Sequence, residues 1–343
     1  MNNNTELKIA VLGGGSFGTA IANMVAENGY SVTLWMRSEE NLQEILRSGE
    51  NSQYLPGYQL NKSLNLTTDL TAALQGADVA FFAVPSSSFR SLARAARDLL
   101  SEHTLLITTA KGIEAESFML PSQILEQEIP QCEVGAISGP NLAAEIAQFQ
   151  ITATVIASEC DQLCSRVQEL LASRYFRVYA NHDRYGVELA GALKNIYAIV
   201  AGIAESMNAG QNTKSVVLTR SLAEMSRFAA QLGANPLTFL GLSGVGDLYV
   251  TCTSPLSRNF RIGLALGRGE SLEQAVASVG QIAEGVNTTK LVKEKADEMG
   301  IYMPLASALY ATMFEGCSIV DSLKAMMLSE QNTDVEFTVK AND

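Results

Sequence analysis

Histidine is nearly absent from this chain: His103 and His182 are the only two. His103 precedes an apolar, strand-like run and His182 lies near a change in chain texture. Neither has an evident partner, so any proton-transfer chemistry falls to another residue type. Cysteine is scarce and scattered. Cys132, Cys160, Cys164, Cys252 and Cys317 are odd in number, and only Cys160 and Cys164 stand close together, with no second pair to complete a zinc site. That spacing points to no metal centre, no disulfide framework and a reducing compartment. The N-terminus, Met1 to Lys8, lacks the apolar core of a secretion signal. The most apolar later stretch, Gly186 to Ala204, is interrupted by Glu188, Lys194 and Asn195, which makes it a buried helix rather than a membrane span. These features predict a cytoplasmic protein without stable membrane insertion. Cations are also in deficit: 24 Lys and Arg against 36 Asp and Glu give a net charge of −12. A nucleic acid would be repelled by that average field, whereas a small anionic substrate needs only a few well-placed cations.

What is present is enough chain for two cores, since single domains usually stop growing well below 343 residues. Hydrophobic residues make up 47% and charged residues 17%, as in a soluble globular enzyme. Two textures follow one another. Apolar, β-rich runs occur at Leu7–Leu12, Ser31–Met36, Val79–Pro85, Leu105–Ala110, Val134–Ser138 and Thr152–Ala157, separated by helical patterns. Most are apolar without strict alternation, as strands covered on both faces should be. After about Arg184 helical patterns dominate, broken by glycine turns at Gly210, Gly233, Gly241–Gly246 and Gly267–Gly269. The expectation is an α/β Rossmann-type doubly wound parallel sheet over residues 1–183, an all-α C-terminal domain over 184–330, and a polar tail over 331–343.

The strand-like run Leu7–Leu12 leads into Gly13-Gly14-Gly15-Ser16-Phe17-Gly18, and Ser16 to Asn28 is helical in pattern. In this G-x-G-x-x-G, Gly13 permits the tight turn, Gly15 lets a pyrophosphate approach the backbone and Gly18 lets helix and strand pack closely. The N–H groups at the helix start then receive the anion. The next strand-like run ends Trp35-Met36-Arg37-Ser38, with no carboxylate for a ribose 2′-hydroxyl. Arg37 instead suits a 2′-phosphate through charge-assisted hydrogen bonds. NADP(H) is therefore favoured, with NAD(H) tolerated.

Ligands in open parallel sheets bind beyond the carboxyl ends of the strands. Three such ends carry polar or breaker residues: Val84-Pro85-Ser86, Thr109-Ala110-Lys111-Gly112 and Ser138-Gly139-Pro140-Asn141. Lys111 is a cation delivered by an apolar run, though a surface lysine would give the same local pattern. Hydride transfer to a ketone requires a proton donor, and Lys194 fits, lying in an otherwise apolar helix with Ala190, Gly191 and Ala198 on its face. Desolvation there is expected to lower its pKa towards the range where acid–base groups work best; a lysine snorkelling from a core helix is the plainer alternative. Gly244-Val245-Gly246-Asp247 presents a carboxylate after a flexible turn, placed to bond a substrate hydroxyl or to set the charge of Lys194. Ser257-Arg258-Asn259 opens another helical pattern, Phe260 to Leu266. Hydroxyl, guanidinium and amide together suit a phosphate dianion, and an ordinary helix cap is the competing reading.

Taken together, Gly13 to Ala20, Lys111-Gly112-Ile113-Glu114, Ser138-Gly139-Pro140, Glu188 to Asn195, Gly244 to Leu248, Ser257-Arg258-Asn259 and Ala283-Glu284-Gly285 resemble bacterial NAD(P)-dependent glycerol-3-phosphate dehydrogenase over nearly the whole chain. The resemblance implies reduction of dihydroxyacetone phosphate to sn-glycerol 3-phosphate for phospholipid synthesis, with Lys194 as the acid–base residue. It assigns dinucleotide contacts to Ser16, Phe17, Arg37, Lys111, Ala143, Arg258, Ile282 and Glu284. Substrate contacts fall to Lys111, Gly139, Asn141, Lys194, Asp247, Ser257, Arg258 and Asn259, and a homodimer is compatible with it. One departure stands out: members commonly read Ser-Gly-Pro-Ser/Thr-Phe-Ala where this chain has Asn141-Leu142-Ala143 after the proline. Two other readings compete: a related lysine-dependent hydroxyacid dehydrogenase, which would have no need of Ser257-Arg258-Asn259, and a non-catalytic NADP(H) sensor, which would need neither Lys194 nor Asp247.

Overall fold

The computed structural model describes residues 7–280 and 283–322. The expected polar tail, 331–343, and Ile282 lie outside the described residues. The chain divides into two compact units, residues 1–188 and 189–343.

Among the described residues, the first unit holds eight strands: β1 (Lys8–Leu12), β2 (Ser31–Trp35), β3 (Asn65–Thr67), β4 (Val79–Phe82), β5 (Leu105–Thr108), β6 (Val134–Ser138), β7 (Thr152–Ala157) and β8 (Phe176–Asn181). Its helices are α1 (Ser16–Glu27), α2 (Glu39–Ser48), α3 (Leu70–Leu74), α4 (Ser86–Ala96), α5 (Pro121–Glu128), α6 (Ala143–Ala147) and α7 (Asp161–Leu171). The strands form one sheet in the order β3-β2-β1-β4-β5-β6-β7-β8. Every neighbouring pair is parallel except β6–β7. That antiparallel step corrects the wholly parallel expectation, and β3 and β8 are strands that apolar runs did not reveal. Residues from α1, α6 and α7 (Ile21, Val25, Ile146, Leu163, Val167, Leu170) cover one face of the sheet. Residues from α3, α4 and α5 (Leu74, Phe89, Leu92, Ala93, Ile124, Leu125) cover the other. Both faces being covered explains why the central strands read as unbroken apolar runs. Strand order reverses between β1 and β4, the topological switch point at which such sheets bind ligands.

Helix α8 (Arg184–Ser206) leads from the first unit into the second, which continues through α9 (Gln211–Gln231), a π-helical turn (Leu242–Gly246), α10 (Asp247–Thr253), α11 (Arg258–Gly267), α12 (Leu272–Val279), α13 (Glu284–Met299) and α14 (Pro304–Phe314). The most apolar 18-residue window of α8 is 83% buried, in keeping with the buried-helix reading. Helices α8 and α11 pack backbone to backbone. A Cβ added to either Gly202 or Gly263 would lie 2.9 Å from the other glycine's Cα. The start of α14 is capped by Glu224 from α9, whose buried carboxylate accepts from the Leu305 N–H at 2.7 Å, the Ala306 N–H at 3.2 Å and the Tyr197 hydroxyl at 3.1 Å. Burial pushes that carboxyl up to about 7, with the three donors opposing the rise.

Candidate active site

The glycine turn follows β1 directly. Gly13 has φ +129°, a region that favours glycine, and a Cβ there would collide with the backbone oxygen of Ala83. Gly18 is as constrained, because its Cβ would strike the Gly13 oxygen. Gly15 differs from both. Its φ is −75° and a Cβ on it would meet nothing within 4 Å. The fold itself therefore does not demand glycine at this position, whereas close approach of a ligand to the backbone would. Gly15 is also the N-cap of α1, which has no capping side chain and no acidic residue in its first turn. These N–H groups and the open space over Gly15 fit the pyrophosphate of a dinucleotide.

Two contacts that hold the turn were not legible in sequence. Fully buried Asn51, in the loop after α2, donates from Nδ2 to the Gly14 oxygen at 2.9 Å and to Thr19 Oγ1 at 2.8 Å. The Ser16 hydroxyl donates to the Tyr54 oxygen at 2.6 Å. Phe17 is half-buried against the apolar layer that α1 shares with α6, and Ala143 is the first residue of α6. Arg37 is exposed beyond the end of β2, and Ser38 N-caps α2 by accepting from the Asn41 N–H at 3.0 Å. The nearest following carboxylate, Glu39, is engaged with Gln43 and Thr68, each at 2.8 Å.

Lys111 and Asn141 are brought close by neighbouring strand ends in the same unit. Lys111 Nζ, half-buried after β5, donates to the Gly139 oxygen at 2.8 Å. Asn141 Nδ2 donates to Thr154 Oγ1 at 2.8 Å, and that hydroxyl donates onward to the Ser138 oxygen at 3.1 Å. This chain of donors fixes the amide orientation and leaves Asn141 Oδ1 buried without a partner among the described residues. A buried acceptor in that state costs about 1–3 kcal/mol, an expense that a bound donor removes. His103 and His182 play no part here, their side chains being 87% and 70% exposed.

The second unit gathers the remaining candidates. Lys194 lies on α8 and is 6% exposed, and Asp247 at the start of α10 is 1% exposed. The Lys194 ammonium donates to Asp247 Oδ1 and, at 2.7 Å, to Thr251 Oγ1. Thr251 in turn donates to the Asp247 backbone oxygen at 2.6 Å. The lysine is therefore buried together with a carboxylate and a hydroxyl partner rather than alone. Sequence reasoning missed Thr251, one turn beyond Asp247 on the same helix. The π-helical turn before Asp247 places the carboxylate. Gly246 N–H bonds the Gly241 oxygen at 3.3 Å, and a Cβ on Gly244 would run into the backbone of Phe239.

In the Ser257-Arg258-Asn259 cluster the three residues are used differently. Ser257 N-caps α11, its Oγ accepting from the Phe260 N–H at 3.2 Å while its own proton is available to donate. The Asn259 amide is largely committed, donating to Asn195 Oδ1 at 2.9 Å and accepting from the Gly285 N–H at 3.1 Å. Arg258 keeps solvent exposure, while surrounding protein pulls its pKa down and the Glu284 carboxylate at the start of α13 pulls it up. The cluster thus offers a guanidinium and a hydroxyl at a helix start, set on a rigid amide network. Among the described residues no group of three His, Cys, Asp or Glu side chains converges to hold a metal.

The chain matches two family models that follow one another: the NAD-dependent glycerol-3-phosphate dehydrogenase N-terminus over residues 8–164, and the C-terminus of the same family over residues 183–324. It is 56% identical to a glycerol-3-phosphate dehydrogenase [NAD(P)+] of Teredinibacter turnerae, across 96% of this chain and 97% of the relative. Identity to the protein of the same name from Pseudomonas aeruginosa is 55%, across 96% of each. The crystal structure of glycerol-3-phosphate dehydrogenase from Coxiella burnetii superposes with a TM-score of 0.90 at 36% identity, covering 94% of this chain and 99% of that one. With both halves matched in order and at this identity, the chain belongs to the NAD-dependent glycerol-3-phosphate dehydrogenase family.

Proposed function

We propose that this chain reduces dihydroxyacetone phosphate to sn-glycerol 3-phosphate with NADPH or NADH, supplying glycerophospholipid synthesis. The observation that carries the reading is the buried Lys194 ammonium bonded to Asp247 and Thr251, in a chain of this family. A nicotinamide dinucleotide held by the glycine turn would supply hydride chemistry for the substrate's ketone carbon. Lys194 holds the proton that the forming alkoxide takes, and in the reverse direction receives it. Asp247 and Thr251 fix the ammonium in place, so little reorganisation is required as charge develops on the oxygen. Arg258 pairs with the substrate phosphate, Ser257 adds its spare O–H, and Asn259 orients the remaining amide hydrogen. Binding energy from that remote phosphate then serves to orient the carbonyl. The family resemblance also assigns Lys111, Gly139 and Asn141 to the substrate, and the Asn141 Oδ1, unpartnered among the described residues, favours a hydroxyl donor.

For the dinucleotide, the open backbone around Gly13, Gly15, Ser16, Phe17 and Gly18 takes the pyrophosphate, and exposed Arg37 takes a 2′-phosphate when one is present. Ala143 and Glu284 are further contacts, as is Ile282, on which the described residues are silent. A hydroxyacid dehydrogenase lacking a phosphate requirement and a catalytically silent sensor are both disfavoured by the family membership. The direct test follows absorbance loss of NADPH, and separately NADH, on adding dihydroxyacetone phosphate. Turnover that requires the phosphate supports the reading, and no absorbance change with either dinucleotide removes it.

The protein is further read as a cytoplasmic enzyme, without membrane insertion or a nucleic-acid partner, that forms a homodimer. Exposed Leu237, Leu240 and Tyr249 in the second unit support self-association, being 50%, 65% and 61% exposed. Light scattering after size exclusion gives the mass directly, and a monomer mass at micromolar concentration contradicts the dimer.

A further inference from the structure

Phe149 occupies a backbone position that normally belongs to glycine. It follows α6 with φ +59°. The Phe149 N–H bonds the Ile146 oxygen and the Gln150 N–H bonds the Glu145 oxygen, each at 3.0 Å. This is a Schellman turn, whose left-handed residue is usually glycine because a Cβ is strained there. An aromatic side chain in such a place is expected to be rewarded by burial, yet Phe149 is 46% exposed. Its ring instead forms one wall of a cavity of about 360 Å³ beside the C-terminal half of α1. That end of the helix lies some 12 residues, or roughly 18 Å, from the glycine turn.

The other walls explain what such a ring is for. Phe149 stands 5.5 Å from Tyr175 and 6.4 Å from Tyr58 between ring centroids, with interplanar angles of 53° and 58°. The three rings therefore form angled walls rather than a flat stack. Met24 adds a further apolar surface. Glu27 contributes a carboxylate: its Oε1 accepts from Asn23 Nδ2 at 2.8 Å and from the Tyr58 hydroxyl at 3.4 Å, and no hydrogen bond to its Oε2 occurs among the described residues. On the cavity's lining also stands Arg174, its guanidinium 5.7 Å from the Tyr175 ring centre and without an acidic partner among the described residues.

Aromatic faces around a carboxylate attract an organic cation, and the attraction is strongest when the cation needs no hydrogen-bond acceptors of its own. Asn28, Gln150 and Ser173 also line the cavity, but the three rings are its distinguishing feature, and an alkylated ammonium spreads its charge over methyl groups that pack against such rings. The unpaired guanidinium offers a counter-charge for an anionic group on the same ligand. We propose that this cavity binds a small zwitterion carrying a methylated ammonium, with Phe149, Tyr58, Tyr175 and Glu27 receiving the cation and Arg174 the anion.

Saturation-transfer NMR on the methyl resonances of glycine betaine and of tetramethylammonium, with acetate as the anion control, tests this on the full chain. Both cationic probes should give saturable signals. Glu27→Gln should weaken both at least threefold, and Arg174→Gln should weaken betaine alone. Phe149→Gly relieves the strained turn, so this variant should fold, retain dinucleotide binding and lose the signal from both probes. Absence of a saturable signal in the parent overturns the proposal, as do signals that survive Phe149→Gly. Binding of acetate alone, abolished by Arg174→Gln, would likewise overturn it by showing a plain anion site.

Discussion

A buried lysine beside a buried aspartate is stable only while both partners remain, because removing either leaves an uncompensated charge in a poorly hydrated place. Lys194 and Asp247 are in that position, and Thr251 satisfies another proton of the ammonium. Asp247→Asn should therefore lower the melting temperature as well as kcat, whereas a residue acting only in catalysis would leave stability unchanged; thermal denaturation of the pair of proteins distinguishes these. Asn51 makes a different kind of claim. It touches the turn rather than any reacting group, so Asn51→Ala should loosen the Gly14 backbone and weaken dinucleotide binding by about tenfold, roughly 1.4 kcal/mol. Fluorescence titration with NADPH measures this, and an unchanged Kd would show that the turn holds itself. Lys194 was legible in sequence because a lone charge in an apolar helical pattern is conspicuous. Asn51 and Thr251 were not, since each is a single polar residue with no spacing rule to mark it. Ser257-Arg258-Asn259 was legible as a cluster, but not the division of labour within it, because the commitment of the Asn259 amide to Asn195 and Gly285 depends on contacts 64 and 26 residues away.

At the scale of elements, Glu224 ties α9 to the start of α14 and to Tyr197 on α8. Its carboxyl is raised from 4.5 to about 7. The unfolded chain therefore releases this proton near pH 4.5, whereas the folded protein retains it until about pH 7, so its contribution to stability falls as pH rises across that window and is level above it. The span corresponds to about 3 kcal/mol. Glu188, held by the Ser122 backbone and hydroxyl and likewise raised to about 7, acts in the same direction. Glu224→Gln should begin less stable and then close the gap on the parent between pH 5 and pH 7.5; parallel melting curves across that range would contradict the assignment. The α8–α11 crossing gives a sharper test. Gly263→Ala drives a methyl group into the Ile199 oxygen and towards Gly202, and should cost about 1–3 kcal/mol in denaturant unfolding. The order of strands and helices was foreseeable from alternating apolar runs, but the direction of β7 was not. The β6–β7 connection contains only the five-residue α6, and a sequence pattern does not separate such a turn-back from a right-handed crossover. Strand β3 has only three residues, and β8 alternates buried and exposed positions at the sheet's edge, so neither showed the continuous apolar run that marks a central strand.

Across the whole molecule, a net charge of −12 must coexist with an anionic substrate and an anionic cofactor. In the proposed reading the chain answers by local placement: Arg37 beyond β2, Lys111 beyond β5 and Arg258 at the start of α11. Net repulsion is screened beyond about 10 Å at 0.1 M salt, whereas contacts at the site are not. Family membership names the reaction class; in the proposed reading, residues of the first unit hold the dinucleotide and residues of the second supply the proton donor and phosphate anchor. The central claim is that Lys194 supplies the proton. The most direct measurement compares kcat for dihydroxyacetone phosphate reduction in the parent and in Lys194→Ala, alongside the NADPH Kd of each. The account predicts a fall in kcat of about 10²–10⁴-fold with the Kd nearly unchanged. Turnover within a few-fold of the parent, in a variant shown to be folded, would contradict it.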